Sequence, residues 1–212
     1  MEILTLNISH YKQVLAFYQA QLEFLERKEF FYPYEDNDLK MILDNGGIML
    51  GALDNGNIVG LSAVDYDPIY AQYLKQVVNT FYPYVDQNTM VYEYSGVMTD
   101  ARYRNKGIAS MLYQQLMQKV KKNICLCAVI QLENQASLSF FFKRNFRLVS
   151  VNRDHNIDFG YLIKFTDKEF PVDQNDFLEI YCLDFTKYRK YLNRGYAGVY
   201  FENNKIKMCK VI

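Results

Sequence analysis

The 212-residue chain contains no tryptophan, only two histidines, four cysteines and four prolines, and no excess of charge of either sign. Neither His10 nor His155 is close to a cysteine pair, which argues against a zinc site. The cysteines are too few and too scattered for a disulfide framework. No apolar run approaches the roughly 18 residues of a membrane span, and no signal peptide is recognisable. We therefore expect a cytoplasmic protein that binds no metal and no membrane.

Half of the residues are hydrophobic, which predicts a globular protein with a substantial core. The 24 basic and 24 acidic residues balance overall, so charge gives no general argument for nucleic-acid binding. The balance is uneven along the chain, because residues 101–153 hold ten basic residues and one acidic residue. Such a segment suits a polyanionic ligand, although a solvated basic surface explains it equally well.

Hydrophobic periodicity and turn residues predict alternating helices and strands up to residue 165. Ser9 is the predicted cap of the first helix. Helices are predicted over 9–27, 37–43, 70–80, 110–122 and 137–144, and strands over 48–53, 58–64, 90–99, 124–130, 148–151 and 159–165. This alternation predicts an α/β domain, a mixed central sheet flanked by helices. Residues 166–212 predict a small αβ extension of strand, helix and hairpin, too short to bury a core alone.

The segment Arg104–Ala109 lies between a predicted strand and a predicted helix. Its small residues, Gly107 and Ala109, would let a phosphate approach the main chain. Unpaired amides at a helix N-terminus favour an anion, and the helix dipole adds to this preference. The pattern therefore predicts a pyrophosphate-binding turn.

The run from Val97 to Ala109 resembles motif A of the GNAT superfamily of acyl-CoA N-acyltransferases, whose signature is Arg or Gln, two variable residues, Gly, one variable residue, and Gly or Ala. A second run, from Asn134 to Phe146, is similar to the family's later motif. The resemblance covers roughly residues 1–165 and implies the family's splayed sheet. We therefore predict a GNAT-like domain over 1–165 and an extension over 166–212.

The resemblance also implies residue roles toward acetyl-CoA. The backbone of Met98 and Thr99 would hold the pantetheine arm, and Asn134 would hydrogen-bond the cofactor. The turn itself would bind the pyrophosphate; its residues are Arg104, Asn105, Lys106, Gly107, Ile108, Ala109 and Ser110.

Two positions depart from the family pattern. Phe141, within the predicted cofactor site, stands where many members have a tyrosine that protonates the departing thiolate, and phenylalanine has no proton to give. Asn145 replaces a glycine before Phe146, a mild change because Asn tolerates a left-handed backbone.

Glu93 lies eleven residues before Arg104, the spacing of the base glutamate in histone-acetyltransferase-like members, and is the candidate general base. A carboxylate that is only solvated or paired with a neighbouring strand is the alternative.

Tyrosines near Glu93 are candidates for binding the acceptor. Tyr66, Tyr92 and Tyr94 are the main candidates, and the same stretch holds Tyr70, Tyr73, Tyr82 and Tyr84. Residues 63–100 carry five acidic residues and one basic residue, so an acidic, aromatic pocket would attract a cationic amine. Packing of these rings against the core is the alternative interpretation.

The sequence thus predicts an enzyme that transfers acetyl from acetyl-CoA to a primary amine of a small molecule or peptide, by direct attack in a ternary complex. A catalytically silent acyl-CoA-binding or sensor module is the main alternative, because of Phe141. A nucleic-acid-binding module is a third. The resemblance also implies a homodimer. The extension could cover the acceptor cleft, add strands to the sheet, or pair subunits.

Overall fold

The computed structural model describes residues 1–23, 35–81 and 83–212. The chain forms two compact units. Unit 1 comprises Met1–Asp67 and Tyr94–Lys121, and unit 2 comprises Pro68–Glu93 and Lys122–Ile212. Both combine β-strands with helices, so the predicted mixed α/β class is confirmed. The predicted domain boundary at residue 165 stays a prediction, because these units are defined by their internal contacts and divide the chain elsewhere.

The structure contains the following elements in chain order: β1 (Glu2–Leu6), α1 (Tyr11–Glu23), α2 (Asp36–Met41), β2 (Gly47–Asp54), β3 (Asn57–Asp65), α3 (Pro68–Val78), β4 (Met90–Thr99), α4 (Ile108–Lys119), β5 (Ile124–Gln131), α5 (Gln135–Phe142), β6 (Arg147–Asp154), β7 (Ile157–Phe165), β8 (Val172–Tyr181), α6 (Phe185–Leu192), β9 (Tyr196–Glu202) and β10 (Lys205–Val211). The boundary between the units falls within β4, after Glu93.

In unit 1, strands β1, β2, β3 and the second half of β4 are adjacent in that order. The β2–β3 turn has left-handed Asn55 and Gly56 at its centre (φ 49° and 79°), as the Asn-Gly pair predicts for a tight hairpin. Helices α1 and α4 pack against β3. The core of this unit includes Val14 of α1, Leu39 of α2 and Leu61 of β3.

The N-terminal region differs from the sequence prediction. Strand β1 was not predicted, and it pairs antiparallel with β2 from Glu2↔Leu53 to Leu6↔Met49. The predicted cap of the first helix, Ser9, was wrong, because Asn7 Oδ1 accepts the amide hydrogen of Ser9 at 3.0 Å and caps a short 3₁₀ turn. Helix α1 follows this turn; the predicted end at residue 27 lies outside the described residues.

In unit 2, the strands are adjacent in the order β4, β5, β7, β6, β9, β10, β8, with the first half of β4 at one end. Helix α3 packs against β6 and β7, and α6 packs against β6 and β9. Its core joins Leu74 of α3 to Val91 of β4, Cys127 of β5 and Ile163 of β7. Strand β9 pairs with β6 through Leu148↔Gly198, so the extension adds strands to this sheet, one of the three roles left open by the sequence.

The extension repeats the element order of the segment before it. Strand, helix and hairpin recur as β5-α5-β6-β7 and as β8-α6-β9-β10, and both helices have eight residues. Asn134 and Asp184 cap them in the same way, each accepting the backbone N–H three residues on. A left-handed residue follows each helix, Asn145 (φ 63°) and Gly195 (φ 73°). The strand orders β5-β7-β6 and β9-β10-β8 are mirrored, as an internal two-fold arrangement requires.

Candidate active site

The approach to the turn at Arg104–Ala109 is held by Asp100. Its carboxylate accepts the backbone N–H of Arg102 at 2.9 Å and the Arg102 guanidinium Nη2–H at 2.7 Å. These bonds to Arg102 keep the pKa of Asp100 below its usual value. The backbone N–H of Asp100 donates to Val59 O at 3.0 Å, which fixes the start of the turn to β3.

Tyr103 provides a second attachment. Its hydroxyl donates to Asp54 Oδ2 at 2.7 Å, at the end of β2, and this bond raises the pKa of Tyr103. The Lys106 ammonium lies 4.7 Å from the centre of the Tyr103 ring, within cation–π range. Sequence reasoning missed Asp54, Asp100 and Tyr103 as supports, since the Tyr103–Asp54 and Asp100–Val59 contacts join residues far apart in the sequence.

Gly107 is the N-cap of α4 and has a left-handed backbone, with φ 80°. The first helical bond runs from Met111 N to Gly107 O at 3.0 Å, so the amides of Gly107, Ile108 and Ala109 precede the helical ladder. In the described part of the chain, a Cβ added at Gly107 would meet no heavy atom within 4 Å. An exposed turn with open space before a helix N-terminus fits a pyrophosphate.

Gly60 on β3 allows α4 to start where it does. A Cβ there would lie 2.8 Å from Ile108 Cγ2 and 3.2 Å from Leu112 Cδ1. It would also lie 3.4 Å from Met98 O on β4. Gly60 therefore lets the first turn of α4 lie close against the strand pair that carries Met98, and a larger residue would force Ile108 to shift.

The second half of β4 borders a small cavity of about 20 Å³. Its lining is mostly apolar and consists of Tyr18, Met49, Leu61, Ser62, Ala63, Gly96, Val97 and Met98. Met98 and Thr99 are themselves partly buried at the end of the strand. The segment expected to hold the pantetheine arm thus lies in unit 1 together with the pyrophosphate turn.

Asp65, at the end of β3, is a buried carboxyl that the sequence did not single out. Burial raises its pKa from 3.8 to about 6; the Ser95 hydroxyl acts in the opposite direction, while the carboxylates of Asp38 and Asp67 raise it further. Gly47 of β2 packs closely beside Asp65, because a Cβ there would lie 2.4 Å from Val64 O and 3.1 Å from Asp65 Cβ. Asp65 is thus a carboxyl group inside unit 1 whose pKa, about 6, lies close to neutral pH.

Glu93 lies in unit 2 and is partly buried. It is the last residue of β4 that pairs in parallel with β5, opposite Cys127, and the strand continues to Thr99 without that pairing. The Glu93 carboxylate raises the pKa of the Tyr70 phenol, after the larger effect of burial. The base role of Glu93 stays a prediction.

Asn134 and Phe141 also belong to unit 2. Asn134 Oδ1 accepts the Ser137 N–H at 3.1 Å and so caps α5. This bond uses only the side-chain oxygen, so the Nδ2 hydrogens can still donate to a ligand. Phe141 is 5% exposed and meets Phe146 edge to face at 4.9 Å. Tyr191 holds the corresponding position in α6 of the repeat.

The candidate acceptor tyrosines fall into different environments. Tyr94 is 3% exposed, and its hydroxyl lies 2.5 Å from Ser62 Oγ, so the structure gives it a packing role within unit 1. Tyr66 and Tyr92 are partly buried. Tyr82 lies outside the described residues. Substrate binding by Tyr66, Tyr92 and Tyr94 stays a prediction.

Neither metal nor membrane features emerge in the described ranges. No group of three or more His, Cys, Asp or Glu side chains there is placed to hold a metal ion. No helix within those ranges is long and apolar enough to cross a membrane.

Comparison with known proteins identifies the family. The model of the acetyltransferase (GNAT) family matches residues 12–146, which is more than half of the chain, and the chain belongs to this family. No curated protein matches the sequence significantly.

Solved structures of acetyltransferases share the fold. A GNAT-family acetyltransferase of Streptococcus pneumoniae is 16% identical, with a TM-score of 0.57 over 77% of this chain and 97% of that one. The ribosomal-protein-S18-alanine N-acetyltransferase of Escherichia coli is 10% identical, with a TM-score of 0.58 over 79% of this chain and 94% of that one. Arabidopsis thaliana NAA60 in complex with acetyl-CoA is 11% identical, with a TM-score of 0.54 over 77% and 97%. At these identities the likeness establishes the fold, a mixed α/β arrangement with an open sheet flanked by helices.

Proposed function

We propose that the protein transfers acetyl from acetyl-CoA to a primary amine of a small molecule or peptide, by direct attack within a ternary complex. The observation that carries the proposal is the left-handed Gly107 at the start of α4, with open space before it, in a chain of the GNAT family. Family membership supports acetyl transfer, and the phosphate-binding turn supports CoA as the molecule that carries the acetyl group.

The chain's own residues supply the binding chemistry. Acetyl-CoA, when bound, provides the acyl thioester. The amides of Gly107, Ile108 and Ala109 would receive the pyrophosphate, with positive charge from Arg104 and Lys106 nearby in the turn. The backbone of Met98 and Thr99 would hold the pantetheine arm, and Asn134 and Phe141 would border the cofactor.

Glu93 is proposed as the general base, because an ammonium must lose a proton before its nitrogen can attack. The test is a thiol-release assay with acetyl-CoA across amine classes, run beside Glu93→Gln. We expect turnover with at least one amine, and a loss of kcat/KM on the order of 10²-fold or more in the variant. An unchanged kcat/KM across pH would remove Glu93 from this role.

A catalytically silent acyl-CoA-binding or sensor module is the second candidate. Phe141 favours it, since the buried ring offers no proton at the position where a tyrosine is expected. Tight binding of acetyl-CoA without turnover across the amine panel would support this alternative over the enzyme.

We also propose a cytoplasmic setting, no nucleic-acid partner, and a homodimer. Within unit 2, β6 is already paired with β9, and β8 is the terminal strand of the order. A sheet-to-sheet homodimer through this unit would therefore use β8, where Phe177 and Tyr181 are about half exposed (53% and 51%). Sedimentation of the chain and of Asp176→Pro, a change on this strand, would test it: the proline should abolish any dimer.

A further inference from the structure

Strand register brings Glu93 and Tyr161 to one face of unit 2. Glu93 pairs with Cys127, and Val129 pairs with Tyr161. Paired residues of adjacent strands point to the same side of a sheet, as do residues two apart on one strand. Glu93, Cys127, Val129 and Tyr161 therefore share a face, while Tyr92 points to the other. Sequence reasoning missed Tyr161, which lies far from Glu93 along the chain.

Helix α3 covers this face. Its residues Leu74 and Val78 belong to the same buried cluster as Cys127 and Tyr161. The first turns of α3 place the Tyr73 hydroxyl 3.3 Å from the Tyr161 hydroxyl. The Tyr70 ring stacks on Tyr73, with 5.7 Å between ring centres and 24° between planes. The phenols of Tyr70, Tyr73 and Tyr161 thus come together on the face of the sheet that α3 covers.

The charge of this cluster comes from Glu93. Val91 lies two residues before Glu93 and so on the same face of β4, and it belongs to the same buried cluster as Leu74, so Glu93 is on the face that α3 covers. Burial, followed by the Glu93 carboxylate, raises the pKa of Tyr70. Burial likewise raises the pKa of Tyr161. Both phenols stay neutral at physiological pH and present ring faces and hydroxyl dipoles beside a carboxylate. Tyr70 is 36% exposed and Tyr73 is 42% exposed, whereas Tyr161 is buried, so solvent reaches the cluster through Tyr70 and Tyr73.

We infer that Glu93, Tyr70, Tyr73 and Tyr161 form the acceptor subsite, and that it selects an alkylammonium group with no carboxylate beside it. A carboxylate attracts the ammonium, and tyrosine faces add cation–π attraction to the charge and its adjoining methylenes. An acceptor with a neighbouring carboxylate, such as the α-amine of a free amino acid, is repelled by Glu93. The inference rests on the proposed function for its acetylation step but not for its binding step.

The binding step can be measured without turnover, because a quaternary ammonium ion has no N–H to acetylate. Tetramethylammonium titrated into the intact protein should shift the ring signals of these tyrosines. Tyr73→Leu should weaken its binding by roughly 3- to 30-fold, the range of cation–π energies. Tyr73→Phe keeps the ring face and should stay close to wild type. Tyr200→Leu, which removes an exposed tyrosine of β9, is the matched control.

The outcomes separate the two claims. One outcome is that the protein binds tetramethylammonium through Tyr73 but acetylates no amine. That result would support the subsite and contradict the proposed function. Turnover of an alkylamine with unchanged KM in Tyr73→Leu sinks the subsite and leaves acetyl transfer standing. Equal losses in Tyr73→Leu and Tyr200→Leu would also overturn the subsite, as would a KM for a free amino acid as low as for its decarboxylated amine.

Discussion

Replacing Asp65 with asparagine should stabilise the protein in a way that depends on pH. Burial holds the pKa of this carboxyl at about 6 instead of 3.8. That shift corresponds to about 3 kcal/mol of differential free energy between the protonation states. The folded protein binds more protons than the unfolded chain between these two values, so the Asp65 contribution to stability falls as pH rises through that window.

The assay is urea denaturation of the wild type and Asp65→Asn at pH 4 and pH 8. We expect a gain of up to about 3 kcal/mol for the variant at pH 8, where the wild type must hold a buried carboxylate, and little difference near pH 4. Asp86→Asn serves as the control of opposite sign, since hydrogen bonds from Thr89 lower the pKa of Asp86. Asp86→Asn should therefore destabilise the folded protein at pH 8. An equal effect of Asp65→Asn at both pH values would refute the reasoning.

Three further substitutions test the support of the site. Gly60→Ala should lower the free energy of unfolding by about 1–3 kcal/mol and weaken acetyl-CoA binding, because its Cβ would press on Ile108. Urea denaturation and calorimetry measure the two effects, and wild-type values for both would contradict this. Tyr103→Phe loses the bond to Asp54 and should weaken acetyl-CoA binding less than tenfold, with unchanged affinity contradicting its role as an attachment. Phe141→Tyr should raise kcat in the thiol-release assay by supplying the missing proton donor; an unchanged or lower kcat in a stably folded variant would contradict this.

Much of the fold was predictable because its signals are local. The Asn55-Gly56 turn defines its hairpin through left-handed backbone, and apolar spacing defines helices such as α4. Strand β1 was not predictable in the same way, since Glu2–Leu6 becomes a strand by pairing with β2, far along the chain. The cap of the first helical turn was misassigned for a related reason, because Asn7 and Ser9 are both capable residues and only the backbone path selects Asn7.

The pyrophosphate turn was predictable because glycine spacing and strand–helix context are visible in the sequence. The groups whose properties depend on contacts between residues far apart in the sequence could not be predicted. Asp65 is a perturbed carboxyl because folding buries it at the end of β3. Tyr161 joins Tyr73 through strand register and the position of α3. Tyr94, in contrast, had a favourable position beside Glu93 in the sequence but is buried against Ser62.

The most direct test of the account is calorimetric titration of acetyl-CoA into the wild type, Gly107→Ala and Gly56→Ala. Gly56 and Gly107 have nearly the same backbone (φ 79° and 80°), and both face open space in the described structure, so alanine strains each by a similar amount, about 1–2 kcal/mol. If a pyrophosphate occupies the space before α4, Gly107→Ala should lose affinity by tenfold or more, whereas Gly56→Ala should bind as the wild type does. No binding by the wild type, or equal affinities in both variants, would contradict an acyl-CoA site at this turn.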